Sequence, residues 1–547
     1  MKITLVGINA KYIHTNLAIR LLKANTPKPV NLIEHTIKDP PEDIIKSITD
    51  QMPDVIGFSV YIWNVEIIKT ILPIIKEKTN ALVVLGGPEV SYEPAHFLNH
   101  LPVDYIICGE GEKAFPALLD MLVGTRGRTS IPNLAFKTSA GVVCTKSEEI
   151  ADLAHLRDPY LFGNDIPHIP NKIQYIESSR GCPFKCSYCL ASLERGVRFF
   201  PLDDVKEHLL YLMDQGAKTF KFLDRTFNAD VKRTKALIDF IIDNHRPDTV
   251  FQFEITGDIL PESLIDHIND HAPKGLFRFE IGIQSTHDET NRAVRRMQNT
   301  QILFKRIRRI KSGGKITMHL DLIAGLPKEN LMRFKKTFDD VFALRPGELQ
   351  LGFLKILRGT HMKLQANRHG YVYDDHAPYE IKSNSYLSAT ELDEIHLVEQ
   401  TLNTYWNKQF MSNTIEAVME HAISPFEWFL RFGRHHLVND WSFHRYQLHD
   451  LFERLVDFIQ KTMPKHAETI EDTAKKDYLD HHTIKPRRWW PVPKNKNDVL
   501  RIYHKAHPDT DLDALYKCAM VIPVSDGYMI AIYQPKETII KHISSKK

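Results

Sequence analysis

Short apolar runs alternate with stretches of helical period along the first two-thirds of the chain. Residues 3–8, 30–33, 55–60, 81–85 and 105–107 read as strands, and each precedes a helical pattern such as 66–78. This alternation predicts an α/β fold that opens with a doubly wound, Rossmann-like sheet. Asn133-Leu-Ala-Phe136 and Val142-Val-Cys144, on either side of Ser139-Ala-Gly141, predict a hairpin. Asp158-Pro159, Ile166-Pro167 and Ile169-Pro170 then mark an extended linker. From 173 the alternation resumes, with strands expected over 173–177, 219–223, 250–255, 277–283, 317–322 and 349–354. Amphipathic helices fall between them, for example 205–213 and 233–242. Six such units predict a partial, open (β/α)6 barrel, whose working residues belong at the C-terminal ends of its strands. Beyond 360 the period is helical over 392–406 and 451–461, and 516–533 reads as a short β hairpin around Ser525-Asp-Gly527. The expected organisation is residues 1–130 for the first sheet, 131–170 for hairpin and linker, 171–360 for the barrel, and 361–547 for a mainly helical C-terminal domain.

Composition narrows this picture little. A chain of 547 residues is too long for one core. Net charge is +3, from 71 basic and 68 acidic residues, which demands no nucleic-acid partner. The apolar run at 3–8 is too short for a signal peptide, and no run approaches the length of a membrane span. A cytoplasmic protein without a membrane partner is therefore expected.

The six cysteines change the picture more. Cys108, Cys144 and Cys518 stand alone and read as reduced thiols, a cytosolic pattern. Cys182, Cys186 and Cys189 follow one another within eight residues, directly after an alternating run that ends in Arg180-Gly181. Gathered thiolates repel unless a metal neutralises them, so the cluster points to a soft-metal site. A closed structural zinc wants a fourth nearby ligand, and no fourth cysteine lies close by. Three cysteines suit a 4Fe-4S cluster with one open iron.

The spacing CxxxCxxC, with Tyr188 before the last cysteine, resembles the motif of the radical S-adenosylmethionine (SAM) enzymes. The loops that end the first, third, fourth and fifth expected strands carry the resemblance further. They are Asn9-Ala-Lys-Tyr12-Ile-His14, Ser59-Val-Tyr-Ile-Trp-Asn64, Gly86-Gly87-Pro88-Glu89 and Gly109-Glu110-Gly111-Glu112. Their order resembles the cobalamin-binding domain that precedes the barrel in one branch of that family. The likeness covers about 1–360.

The resemblance implies three cofactors: a 4Fe-4S cluster on Cys182, Cys186 and Cys189, SAM on its open iron, and cobalamin on the first domain. Asn9, Tyr12, Ser59, Gly86, Gly87, Glu89, Gly109 and Glu110 would border the cobalamin, with the benzimidazole tail along Gly86, Gly87 and Glu89. Tyr188 would face the adenine. Asp224, Glu280 and Gln284 would face SAM or substrate, and Glu254 and Asp321 stand at neighbouring barrel-strand ends. Read from the residues alone, these carboxylates could instead pair with Arg225, Arg278 or backbone amides as scaffold. The DxHxxG signature of domains that ligate cobalt through histidine is missing, since Thr15-Asn-Leu17 follows His14, so no axial ligand is assigned.

The implied reaction is methylation of an unactivated carbon. A 5′-deoxyadenosyl radical abstracts hydrogen and methylcobalamin delivers the methyl, while a one-electron reductant such as flavodoxin or ferredoxin feeds the cluster. A cobalamin-dependent rearrangement or cyclisation is the alternative within the class. A nucleic-acid-binding or cobalamin-sensing protein with a structural metal is the alternative outside it. The substrate is expected to be a small molecule rather than RNA. Lys485 to Lys496 mixes basic residues with Trp489 and Trp490, which reads either as a packed strap or as a single-strand binding surface. His435-His436 and His481-His482 are weak metal candidates, because adjacent histidines on a helix diverge.

Overall fold

The computed structural model describes residues 1–194, 196–534 and 538–544, with the side chain of Ser544 left out. The chain divides into two compact units, one of 1–331 with 352–389 and one of 332–351 with 390–547.

The first unit opens with β1 (Ile3–Asn9), β2 (Val30–Thr36), β3 (Val55–Ser59), β4 (Leu82–Gly86), β5 (Tyr105–Ile107), β6 (Leu134–Thr138) and β7 (Gly141–Cys144). They form one seven-stranded sheet in the order β2-β1-β3-β4-β5-β6-β7. The first five strands are parallel, and β1 and β3 are buried along their whole lengths, as a sheet covered on both faces requires. One face packs Val6, Ile8, Ile56 and Phe58 under the helices Pro41–Thr49 and Val65–Lys78. The other packs Ile3, Leu5 and Val84 against Ala114–Leu122. The direction of sheet growth reverses between β1 and β3, and such a reversal opens a ligand crevice at the C-terminal strand ends. The hairpin β6–β7 pairs antiparallel with β5. It extends the first sheet rather than standing apart as a connector. The proline-rich stretch expected to be extended winds into a 3-10 helix over Gly163–Asn171.

The second sheet of this unit comprises β8 (Ile173–Ile176), β11 (Thr219–Phe222), β12 (Val250–Ile255), β13 (Phe277–Gln284) and β14 (Thr317–Ala324). At its far edge stands β15 (Glu348–Phe353), whose last two residues belong to this unit. Parallel pairing runs from β8 through β14. Between β8 and β11 the chain inserts β9 (Ser179–Gly181) and β10 (Val197–Phe199), an antiparallel pair. Past the barrel, β16 (Val372–Tyr373) pairs with β17 (Ile381–Ser383).

Burial in β13 alternates strictly: Phe277, Phe279, Ile281 and Ile283 are buried, while Arg278, Glu280, Gly282 and Gln284 are half-buried. β12 alternates the same way, with Glu254 on the half-buried face. The phenylalanines pack on one another, Phe220 stacking on Phe251 at 4.6 Å between ring centres. Successive strand side chains must point to opposite faces, so this aromatic layer fixes which residues face the lumen.

The second unit is mainly helical, with helices Ala389–Tyr405, Ser412–Met419, Pro425–Val438, Leu448–Thr462 and Ala467–Asp480 among its elements. Phe338, Phe342, Phe426 and Phe429 form an edge-to-face aromatic core within it. The expected hairpin is there as β18 (Ala519–Val524) and β19 (Gly527–Tyr533), and a third strand, β20 (Thr538–Ser544), adds to it. Trp489 packs against Tyr478 and Phe452, Trp490 is buried, and Tyr478 donates from its hydroxyl to the Arg487 carbonyl at 2.6 Å. The segment is a strap, and its indole faces are spent on packing rather than open for base stacking. The four histidines diverge as helix geometry dictates: His435 pairs with Asp457, His436 bonds the Tyr405 hydroxyl, and His481 and His482 each bond a carbonyl. No helix of the described residues is long and apolar enough to cross a membrane.

Candidate functional site

The loop that carries the three cysteines is pinched at its base. Gly181 holds φ +90° against Gly196, and a Cβ on Gly181 would lie 2.1 Å from the Gly196 carbonyl oxygen. Only glycine lets β9 and β10 close this loop. Ser187 is held on both sides, its N–H donating to the Val294 carbonyl at 2.9 Å and its carbonyl accepting from Met362 at 2.8 Å.

Cys182, Cys186 and Cys189 all line a cavity of about 280 Å³ at the C-terminal ends of the barrel strands. Glu254, Glu280, Gln284 and Asp321 line the same cavity, together with Tyr188, Arg225 and Arg296. Cys182 and Cys186 are buried, and burial pushes the Cys189 thiol up from its ordinary range. Thiols in such surroundings become thiolates only with a cationic partner, and a metal supplies one. Among the described residues no three His, Cys, Asp or Glu side chains gather around a single ion. A zinc needs that convergence, whereas a 4Fe-4S cluster gives each thiolate its own iron. Three thiols lining one cavity fit the cluster.

The cavity wall is built from the half-buried faces of adjacent strands. In register, Glu254 stands beside Glu280, Glu280 beside His319, and Gly282 beside Asp321. Lys221 donates to Glu280 at 3.2 Å, Gln252 also donates to it, and His319 pairs with Asp321 at 3.0 Å. Burial raises the Glu254 carboxyl above the usual carboxylate range, with Arg225 opposing and Glu280 and Asp321 reinforcing. A register shift between Gly282 and Gln284 bends the end of β13, and Gln284 sits there in the left-handed region at φ +66°. Its amide folds over Gly282, where a Cβ would lie 2.4 Å from Nε2, and its Oε1 is buried without a hydrogen-bond partner. Strain and an orphaned acceptor at one residue mark a place prepared for a ligand. Arg296 bonds the Gly282 carbonyl and Gln298, and lies 3.4 Å from the Tyr188 hydroxyl and 4.0 Å from Cys186 Sγ.

Asp224 stands apart from the cavity lining. Its carboxylate is buried and accepts from the Ser178 N–H and from the Ser178 and Ser179 hydroxyls at 2.6–2.9 Å. It ties the end of β11 to the start of the cysteine loop, outside the cavity lining. Its three donors and its near-complete burial hold it within the protein.

The loops of the first sheet hold several of the expected residues in internal contacts. Asn9 donates to the His14 carbonyl and to Glu34, and Ser59 accepts from Asn16 at 2.9 Å, so both side chains build the loops. His14 bonds the Tyr175 hydroxyl at 2.7 Å, and its backbone bridges β8. Gly87 holds φ +114° because a Cβ would lie 2.5 Å from the Val60 carbonyl oxygen; internal packing demands this glycine. Gly86 and Gly109 are different: a Cβ on Gly86 would meet only the Ile107 carbonyl oxygen at 3.7 Å, and one on Gly109 meets nothing within 4 Å. These two leave open space along the strand ends, and in the loop after β3 the exposed Trp63 stacks its ring on Tyr61 at 4.3 Å. Tyr12 is also exposed, with the Lys172 ammonium over its ring.

Glu89 and Glu110 are spent on the barrel. Glu89 is buried against Arg358 at 3.1 Å and accepts from the Tyr379 hydroxyl, while neighbouring Glu93 pairs with Arg358 and Lys363. Glu110 pairs with Arg180 and Arg198 and accepts the Ile150 N–H, and Glu112 pairs with Arg180 at 2.6 Å. The strand-end glutamates of the first sheet therefore clasp the barrel. The arginines were not legible as partners, because Arg180 lies 70 residues from Glu110 and Arg358 lies 269 from Glu89.

Comparison with known families places a B12 binding domain at residues 3–119 and the Radical SAM superfamily at 176–341. A third match, to a protein of unknown function (DUF4080), covers 367–516. An uncharacterised methyltransferase of Pyrococcus horikoshii is 32% identical over 203 residues, 35% of this chain and 44% of that one. The 2-(S-pantetheinyl)-carbapenam-3-carboxylate methyltransferase of Streptantibioticus cattleyicolor is 25% identical over 322 residues, 54% of this chain and 45% of that one. The chain thus spans less than half the length of these curated relatives. In fold it is similar to the radical SAM methyltransferase TsrM of Kitasatospora setae, solved with cobalamin and a 4Fe-4S cluster bound. The TM-score is 0.62 at 15% identity, over 79% of this chain and 99% of that one.

Proposed function

The chain belongs to the cobalamin-dependent radical SAM enzymes, and on that premise we propose that it methylates an unactivated carbon of a small organic substrate. One observation carries this reading: the cysteine-lined cavity lies at the barrel mouth, and the first sheet's strand-end loops are clasped to the same barrel by Arg180 and Arg358. When bound, the cluster and SAM supply hydrogen abstraction, and methylcobalamin supplies the methyl group. Cys182, Cys186 and Cys189 hold the cluster. Arg296 fixes Tyr188 at its rim, Gln284 offers its free acceptor to the ligand, and Gly86 and Gly109 leave room for the corrin side. Glu254, Glu280 and Asp321 line the same cavity as the thiols. A one-electron reductant such as flavodoxin or ferredoxin is part of the proposal. A small-molecule substrate is supported by the relatives, since TsrM is solved with a tryptophan substrate and the carbapenam enzyme is named for its own. Rearrangement or cyclisation without methyl transfer is the competing outcome.

The test is stoichiometry. Anaerobically reconstituted protein with reductant, cobalamin and trideuteromethyl SAM should yield 5′-deoxyadenosine and S-adenosylhomocysteine in near-equal amounts, with label in the product. Deoxyadenosine formed without matching S-adenosylhomocysteine would replace methylation by rearrangement.

A further inference from the structure

Arg225 follows β11 and lines the cavity opposite Arg296, and the two arginines are used differently. The Arg296 guanidinium is spent on Gly282, Gln298, Tyr188 and Cys186. Among the described residues, the Arg225 side chain makes no hydrogen bond and no ion pair within 4 Å. It is hemmed in by protein but its surface is accessible, because it runs along the cavity wall. Burial opposes its charge, yet Glu254, Cys189, Glu194 and Glu177 together hold it cationic. Tyr61 and Tyr92, from the loops that follow β3 and β4, also feel its charge. Arg225 thus lines the cavity that holds the three cysteines and the barrel carboxylates, where a substrate would lie beside the cluster.

We propose that Arg225 is a substrate-binding residue that receives a carboxylate, so that the substrate class is a small organic acid. The inference rests on the function proposed above and narrows it. A planar fork of N–H donors that faces a cavity and is not engaged by protein groups is free for a ligand, and a carboxylate matches it with two parallel hydrogen bonds. A singly charged anion suits the place better than a phosphate. Three carboxylates already surround this one guanidinium, and a doubly charged group would meet their repulsion. Arg225 does not hold the reacting atoms; it fixes which end of the substrate faces away from them.

The same carboxylate could come from the methionine moiety of SAM, and the experiment separates the two sources. Protein carrying its iron cluster and hydroxocobalamin, saturated with SAM and without reductant, is dialysed against benzoate, hexanoate and indole-3-acetate, each beside its primary amide. At least one acid should bind about tenfold or more tighter than its amide, a preference lost in Arg225→Gln and partly kept in Arg225→Lys. SAM affinity and iron content should be the same in all three proteins. Equal binding of every acid and amide would overturn the proposal. So would a preference that survives Arg225→Gln, or a fall in SAM affinity in that variant, which would assign the guanidinium to SAM. Because binding is read before turnover, failure of the methylation reading would show in the product ratio and not here.

Discussion

The strand ends of the barrel and the strand ends of the first sheet occupy equivalent places in their folds, yet they are furnished in opposite ways. At the barrel mouth the side chains carry the chemistry: thiols, carboxylates, Gln284 and two arginines face one cavity. At the first sheet the useful feature is space, at Gly86 and Gly109, while the charged residues of the same loops are committed to Arg180, Arg198 and Arg358. A large cofactor that brings its own reactivity needs room and a backbone to lie on. A small cofactor cleaved at a cluster needs directed side chains. The difference teaches that the acidic residues of the GGPE and GEGE loops are paired with arginines of the barrel side, while the glycines of the same loops leave space.

The largest effect should break the barrel side alone. Alanine at Cys182, Cys186 or Cys189 should abolish cluster iron and deoxyadenosine formation while cobalamin uptake persists. Cys108→Ala should retain both, at a packing cost of about 1–3 kcal/mol. Next comes the clasp. Arg180→Ala removes the arginine partner of Glu112 and Glu177, while Glu110 keeps Arg198, and breaking such a part-buried site costs about 3–5 kcal/mol in chemical denaturation. Deoxyadenosine should still form in folded Arg180→Ala, with methyl transfer falling further than SAM cleavage.

A third contact sharpens the comparison through pH. Burial pushes the Glu34 carboxyl up, but Arg20 and Lys172 outweigh it and hold it at about 2, against an ordinary 4.5. Its folded value is depressed, so its stabilisation of about 3 kcal/mol is present above pH 4.5 and is lost as pH falls towards 2. Glu34→Gln should lower stability at neutral pH and flatten the acid limb of the stability curve. The smallest effect distinguishes neighbouring glycines. Gly87→Ala should cost about 2 kcal/mol or more, from its positive φ and the contact with Val60. Gly86→Phe should fold, keep its iron and lose cobalamin uptake.

Legibility followed the range of the interaction. Residues 250–255 and 105–107 read as strands from alternation and β-branched content, and they are strands, because a period of two is a local property. The cysteine loop was legible for the same reason. The third C-terminal strand was not, since Thr538–Ser544 is completed as a strand only by its pairing with β19. For Asp224 the scaffold role was one of two open readings; its particular hydroxyl donors, Ser178 and Ser179, were not legible, because they lie 46 and 45 residues away. Arg225 was read only as a partner for carboxylates, since a cation without a described partner is seen only once the side chains are placed.

The central claim is that one barrel mouth receives both cofactors in a fixed relation. Pulsed dipolar EPR between the reduced cluster and cob(II)alamin in the loaded protein tests it most directly. The account predicts one narrow distance, broadened in Arg180→Ala and Arg358→Ala. A broad distribution in the wild-type protein, or no coupling with both centres loaded, would contradict it.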